Sequence, residues 1–149
     1  MFDKLLSTLL GQADASAEDK SHAADVALAA LLVEAARADG VYIDAERTMI
    51  DAILAERFGL DAAGAEALRR EAERAADGAA DLVQFTRAVK EAVPFDARVE
   101  VIEAIWRVAY ADADRCGDEA ALVRKLAGLL YVPDREVGLA RQRVAKHLG

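Results

Sequence analysis

Apolar residues recur every three or four positions along nearly the whole chain. That spacing matches the turn of an α-helix, and no segment shows the alternation of apolar and polar residues that indicates a strand. Ala, Leu, Arg and Glu, which are favourable in helices, are abundant in most segments. The pattern predicts an all-α protein of about eight helices, the first of them short.

The first 19 residues are predicted to stand apart from a single domain at 20–149. A short amphipathic helix is indicated by apolar residues at helical spacing, namely Phe2, Leu5, Leu6, Leu9 and Leu10. The small and polar residues of 11–19 predict a mobile linker after it. Two interpretations of the helix are open: packing on its own domain, or docking on a membrane or a partner.

Capping and turn-forming residues divide the domain into seven further helices. Gly40 is predicted to end the first of these with a left-handed backbone, and Asp44 and Asp61 to cap the next two. Pro94 is predicted to end the fourth, and Pro133 to take the first position of the last. The predicted ranges are about 20–38, 44–57, 61–77, 81–93, 96–111, 117–130 and 133–148.

The spacing of side chains on two of these helices predicts which of them are exposed and which are buried. The helix at 61–77 has charges of alternating sign at i,i+3 and i,i+4 spacing, including Arg69, Arg70 and Glu73. This is typical of a solvent-exposed face. Trp106, by contrast, lies on the apolar stripe of its helix and is predicted to lie in the core.

The chain contains an internal repeat. At a constant offset of about 73 residues, Asp39 matches Asp112 and Glu46 matches Glu119. The offset also brings four further positions into register without a gap: Ile50 with Val123, Ile53 with Leu126, Phe58 with Tyr131 and Asp61 with Asp134. Each half is predicted to form a helix, an acidic loop and two more helices. We expect duplicated helix-loop-helix units in a compact bundle with a pseudo-two-fold axis.

The two acidic loops are the candidate site. Loops related by such an axis would gather Asp39, Glu46, Asp112, Asp114 and Glu119. Crowded carboxylates either hold protons or bind a cation, and their hard oxygens suit calcium or magnesium. The alternative is structural, because these residue types also cap helices. The second loop does not fit an EF-hand, since its twelfth position is a valine.

Composition narrows the function. The chain of 149 residues has 19 Lys and Arg against 27 Asp and Glu, a net charge of −8 that opposes binding to nucleic acid. Two His and one Cys are too few for a metal cluster of those residues, and a lone Cys fits a reducing cytoplasm. No stretch approaches the roughly 20 apolar residues of a transmembrane segment.

Residues for catalysis are not arranged in a recognisable way. Ser7, Ser16 and Ser21 lie in the first helix or the linker with no His placed beside them in a core, and no Gly-rich loop could hold a phosphate. The sequence therefore predicts no enzyme, and an enzyme that uses paired carboxylates is the weakest alternative. Basic residues collect near the end of the last helix, where they suit the helix dipole or a patch for an anionic partner.

Three segments together resemble a known family. They are Ala36 to Glu46, Trp106 to Asp112 followed by Glu119, and Leu126 to Val132. Their order and spacing look like the TerB-like family of bacterial tellurite-resistance proteins over about 24–145. A related domain begins a membrane-anchored co-chaperone, but the His-Pro-Asp motif of its J-domain is not found here.

The resemblance implies an all-helical duplicated fold, no established enzymatic activity and a divalent cation held by the acidic loops. Carried over to this chain, the ligands would be Asp39, Glu46, Asp112 and Glu119, for calcium, magnesium or zinc. Ala113 stands where the family prefers Gly, which predicts a second loop of different shape.

These inferences lead to two expectations of function. The first is a cytoplasmic, non-enzymatic accessory or interaction module in tellurite or metal stress response, with a protein partner, including a membrane-associated complex at the inner membrane face. The second is a structural adaptor that docks a partner and has no metal site. The oligomeric state is left open by the sequence.

Overall fold

The structure is a computed structural model that describes the backbone of residues 2–38, 40–111 and 118–148, and the side chains of 18–38, 40–111 and 120–147. Within these ranges it contains seven α-helices, one short 3-10 helix at Phe95–Ala97 and no strand. The all-α prediction is confirmed. The helices are α1 (Phe2–Ala36), α2 (Asp44–Phe58), α3 (Ala62–Asp77), α4 (Val83–Ala92), α5 (Arg98–Tyr110), α6 (Asp118–Leu129) and α7 (Asp134–Leu148).

The first helix differs from the sequence prediction. Its backbone is helical without a break from Phe2 to Ala36, where a short helix, a linker at 11–19 and a second helix were expected. That segment contains one glycine, Gly11, and no proline, and its Ala, Gln and Glu residues favour helix. The division into 1–19 and 20–149 stays a prediction.

The second half of α1 forms the centre of the bundle. Nearly every side chain from Ala27 to Ala36 is buried, and this part of the chain packs against α2, α3, α4, α5 and α6. A helix that is apolar on all sides is one that other helices surround. Trp106 and Phe85 are buried as well, so the prediction that Trp106 lies in the core is confirmed.

The helix contacts show the predicted duplication. We call α1–α3 the first unit and α5–α7 the second unit. Within each unit the first helix packs on the other two, and those two pack on each other. Between the units α1 packs on α5, and the contact of α2 with α5 has its counterpart in that of α6 with α1. The helix α4 lies outside the repeat and packs mainly on α1.

Buried positions follow the offset of 73 residues along the first two helices of each unit. Three pairs lie on α1 and α5 and two on α2 and α6, and all ten side chains are buried: Leu28 and Val101, Leu32 and Ile105, Ala35 and Val108, Ile50 and Val123, Ile53 and Leu126. The repeat is therefore one of packing and not of composition alone.

The offset changes to 72 residues at the end of the second helix. Gly59 and Tyr131 both have a left-handed backbone. The next residue donates to the matching carbonyl in each unit, from Leu60 N to Ala55 O at 3.1 Å and from Val132 N to Ala127 O at 2.9 Å. These are the bonds of a Schellman motif. The second unit is one residue shorter here.

The ungapped pairing of Phe58 with Tyr131 and Asp61 with Asp134 is therefore wrong by one residue. Asp61 caps α3 and corresponds to Pro133, because Ala65 N donates to Asp61 O as Val137 N donates to Pro133 O. Pro133 thus precedes the first position of α7, which Asp134 takes. Buried pairs on α3 and α7 keep the offset of 72: Ala65 and Val137, Leu68 and Ala140, Ala72 and Val144.

Candidate functional site

The first acidic loop begins where α1 ends. Gly40 N donates to Arg37 O at 2.9 Å, and Gly40 has a φ of +85°. The left-handed backbone predicted for Gly40 is confirmed, and it turns the chain away from the helix axis. Asp39 lies outside the described residues.

Glu46 is a fully buried carboxylate in the first turn of α2. Its Oε1 accepts a hydrogen bond from Ile43 N at 2.9 Å, which is the glutamate half of a capping box. The N-cap residue is Ile43, and Asp44 is the first residue of the helix. The prediction of Asp44 as the cap is therefore wrong. An isoleucine side chain cannot accept a hydrogen bond, so Glu46 reaches back to satisfy the backbone.

Two arginines enclose Tyr42 in the same loop. The guanidinium carbon of Arg37 lies 5.1 Å from the centre of the Tyr42 ring, and that of Arg47 lies 4.2 Å from it. Arg47 also donates to Tyr42 O at 3.0 Å and pairs with Asp44 at 2.7 Å. The loop is therefore held by one cationic side chain just after α1 and one from α2.

A buried charge cluster lies behind the loop, between α2 and α3. Arg69 donates from Nε to Asp51 at 2.6 Å and from a terminal nitrogen to Glu73 at 3.0 Å. Its side chain is only 10% exposed. The solvent-exposed face predicted for this helix is therefore wrong at Arg69, while Arg70 is exposed and pairs with Glu66. Charge spacing alone does not show which charged residues face another helix.

The cluster fixes the ionisation of two groups. Burial lowers the pKa of Arg69, but the hydrogen bonds and charges of Asp51 and Glu73 outweigh it and raise that pKa above its usual range. Burial, with the charge of Glu73 added to it, raises the pKa of the Tyr42 hydroxyl well above its ordinary value. Arg69 is thus a cation and Tyr42 a neutral phenol at neutral pH.

Four of the five predicted ligands cannot be placed. Asp112 and Asp114, like Asp39, lie outside the described residues, and Glu119 belongs to α6 with a side chain outside them. Among the described side chains, no three His, Cys, Asp or Glu residues lie close enough to hold a metal. Glu46 is the one predicted ligand whose side chain the structure describes.

Two ion pairs join α2 to α5. Arg57, in the last turn of α2, lies 3.7 Å from Glu100 in the first turn of α5. Glu56, beside Arg57, accepts a hydrogen bond at 3.0 Å from Arg107 in the last turn of α5. The end of α2 is therefore linked to both ends of α5.

The basic residues near the end of α7 do not form one patch. Arg143 pairs with Glu103 at 2.7 Å, and Arg141 donates to the Tyr110 hydroxyl at 2.8 Å. Lys146 and His147 line the groove between α2, α5 and α7. Cations that suit the helix dipole are thus also used in contacts between helices.

Comparison with known proteins identifies one family. The family model described as "Tellurite resistance protein TerB" matches residues 25–142, which include both units. Comparisons with curated proteins and with solved structures found no match. In the part of the chain that the structure describes, no helix has the length and apolarity to cross a membrane.

Proposed function

Since the chain belongs to the TerB family of tellurite resistance proteins, we propose that it binds one divalent cation between its two acidic loops. The ligands would be Asp39, Glu46, Asp112 and Glu119, with Asp114 as a further donor. The protein would act without catalysis, as an accessory or interaction module in tellurite or metal stress response.

Burial of Glu46 is the observation that carries the proposal. A fully buried carboxylate needs a positive partner or hydrogen bonds to its oxygens. Glu46 lies at the start of α2, and Glu119 takes the equivalent position at the start of α6 under the offset of 73 that the buried pairs confirm.

The chemistry of Glu46 fits a cation. The hydrogen bond from Ile43 N does not prevent ligation, because a carboxylate has roughly four acceptor sites. Carboxylate oxygens are the ligands of calcium and magnesium, whereas zinc sites draw mainly on Cys and His. Calcium or magnesium is therefore the preferred ion.

The capping bond also favours a second candidate function. If Glu46 serves only the N-terminus of α2, the acidic loops are structural and the protein is an adaptor without a metal site. Either form of the proposal places the protein in the cytoplasm with a protein partner, free or at the inner membrane face.

Calorimetry with metal-free protein tests the proposal. One equivalent of calcium or magnesium should bind with measurable heat, and it should raise the melting temperature as the ion concentration rises, because the ion binds only the folded state. Zinc serves as the comparison ion. If none of the three ions gives heat, the metal site is excluded and the structural adaptor is the remaining candidate function.

Glu46→Gln separates the two roles of this residue. A glutamine side chain keeps a carbonyl oxygen for Ile43 N but lacks the charge that a cation needs. Without metal, this variant should melt near the temperature of the parent protein. With calcium or magnesium, it should lose most of the rise in melting temperature. Asp39→Asn and Asp112→Asn should lose that rise as well. Asp44→Asn is the matched control, because Asp44 is exposed in the same turn and outside the ligand set. A full metal response in Glu46→Gln would contradict the proposal.

A further inference from the structure

A pocket of about 470 Å³ lies among the three helices of the second unit. Trp106 of α5 and Arg124 of α6 line it, together with Asp134, Val137 and Arg141 of α7. Two arginines therefore line one cavity, together with one described carboxylate.

Trp106 lines this cavity and has a buried donor on its indole ring. The side chain is 5% exposed, and its Nε1 makes no hydrogen bond within the described structure. A buried N–H without a hydrogen bond costs about 1–3 kcal/mol.

The two arginines are not neutralised by the described part of the fold. Arg141 lies 4.8 Å from the centre of the Trp106 ring and donates from Nε to the Tyr110 hydroxyl at 2.8 Å, and neither group is an anion. Arg124 is exposed, and it makes no ion pair with the described residues. Among the described residues, neither arginine has a carboxylate as its partner at the pocket.

The arginine of the first unit that corresponds to Arg141 has carboxylate partners. Arg69 corresponds to Arg141 under the offset of 72 on the third helices, and it is held there by Asp51 and Glu73. Asp51 corresponds to Arg124 under the offset of 73 on the second helices, and Glu73 corresponds to Ala145. The second unit therefore keeps the arginine, replaces one carboxylate by a second arginine and removes the other.

We propose that the pocket lined by Trp106, Arg124 and Arg141 binds a carboxylate group supplied from outside the chain. Its planar oxygens suit a guanidinium edge. Among the described lining residues, two arginines and Asp134 leave a net charge of +1, which matches a carboxylate better than a phosphate dianion. The proposal does not depend on a metal.

The single tryptophan gives a direct readout. In the protein labelled with ¹⁵N, Trp106 gives one indole N–H resonance, whose shift reports a change beside its ring, where Arg141 lies. Sodium acetate should shift it saturably at constant ionic strength, and sodium chloride should not. A terminally blocked tripeptide with a central Glu tests the source: tighter binding than acetate assigns the site to an acidic side chain of a protein, and equal binding assigns it to a free acid.

Three variants test the assignment to these side chains. Arg124→Gln should weaken acetate binding at least about tenfold, because it removes one charged donor. Asp134→Asn should strengthen binding several-fold, since it removes the opposing charge. Arg135→Gln is the matched control, because Arg135 is an exposed neighbour outside the lining and should leave binding unchanged.

Three results would overturn the proposal. These are the absence of a saturable shift with acetate and with the peptide, tighter binding of inorganic phosphate than of either carboxylate, and unchanged acetate binding in Arg124→Gln. Arg124 is exposed, so this variant is expected to fold, and circular dichroism checks that it does.

Discussion

Gly59 and Tyr131 occupy equivalent positions in the two units, and both have a left-handed backbone, with φ of 63° and 60°. Glycine adopts this conformation freely, whereas any other residue brings Cβ close to the next carbonyl at a cost of roughly 1–2 kcal/mol. Tyr131 is 63% exposed, and Lys90 Nζ lies 4.5 Å from its ring centre. An exposed cation–π contact of about 0.5–1 kcal/mol offsets only part of that cost.

Gly59→Ala is expected to lower the free energy of unfolding by about 1 kcal/mol. Nothing lies within 4 Å of the added Cβ, so the loss would come from the backbone alone. Gly78→Ala is the matched control, because Gly78 also ends a helix but has a right-handed backbone. This variant should raise the free energy of unfolding by about 0.4–1 kcal/mol, because alanine leaves the unfolded chain fewer conformations than glycine does. Equal losses in urea denaturation of both variants would contradict this account.

Arg69→Met is expected to lower the free energy of unfolding by about 3 kcal/mol. It would leave Asp51 and Glu73 close together without their cation, at side-chain exposures of 28% and 19%. Arg70→Met, one residue along, removes only the exposed pair with Glu66 and should cost at most about 0.5 kcal/mol. Chemical denaturation compares the two, and similar small losses would show that the buried cluster adds little.

Glu34→Gln is expected to raise the melting temperature at pH 7. Burial raises the pKa of Glu34 above its ordinary 4.5, against the lowering effect of Arg37. The Glu34 carboxyl therefore stays protonated to a higher pH in the folded state than in the unfolded chain. The stability that the protonated carboxyl contributes is lost as the pH rises through its folded-state pKa. The gain from the substitution should shrink below pH 4.5. Glu91→Gln removes an exposed carboxylate from α4 and should change the melting temperature at pH 7 only slightly. A lower melting temperature for Glu34→Gln at pH 7 would contradict the burial argument.

Trp106→Ala is expected to lower the free energy of unfolding by about 3–5 kcal/mol through the cavity it leaves. The side chain is buried among the helices of the second unit and supports the ring contact with Tyr110 at 6.0 Å between centroids. Leu139→Ala removes a partly exposed side chain from α7 and should cost less than about 1 kcal/mol. Comparable losses would place Trp106 outside the core.

Of the predicted site, the structure describes one side chain, that of Glu46. Glu46 was selected because an acidic residue recurs at a fixed offset, and the structure adds that it is buried and caps Ile43. Asp44 was assigned as the cap because Asp is a common N-cap residue. The capping bond instead joins the Glu46 side chain to the backbone of Ile43, three residues earlier. The frequency of a residue type at N-caps does not predict such a bond. The cation itself stays a proposal.

Local preferences were sufficient for the helical class, the left-handed Gly40, the end of α4 before Pro94 and the buried side of the helix that holds Trp106. Helical periodicity and the steric limits of Gly and Pro act within a few residues, so the sequence by itself determined these features. Only the tertiary structure decided that Arg69 is buried while Arg70 is exposed, and that Arg141 lies beside an unpartnered indole. It also decided where the repeat loses a residue. Each of these features depends on which helix packs against the residue, and the pattern within one helix does not predict its packing partner.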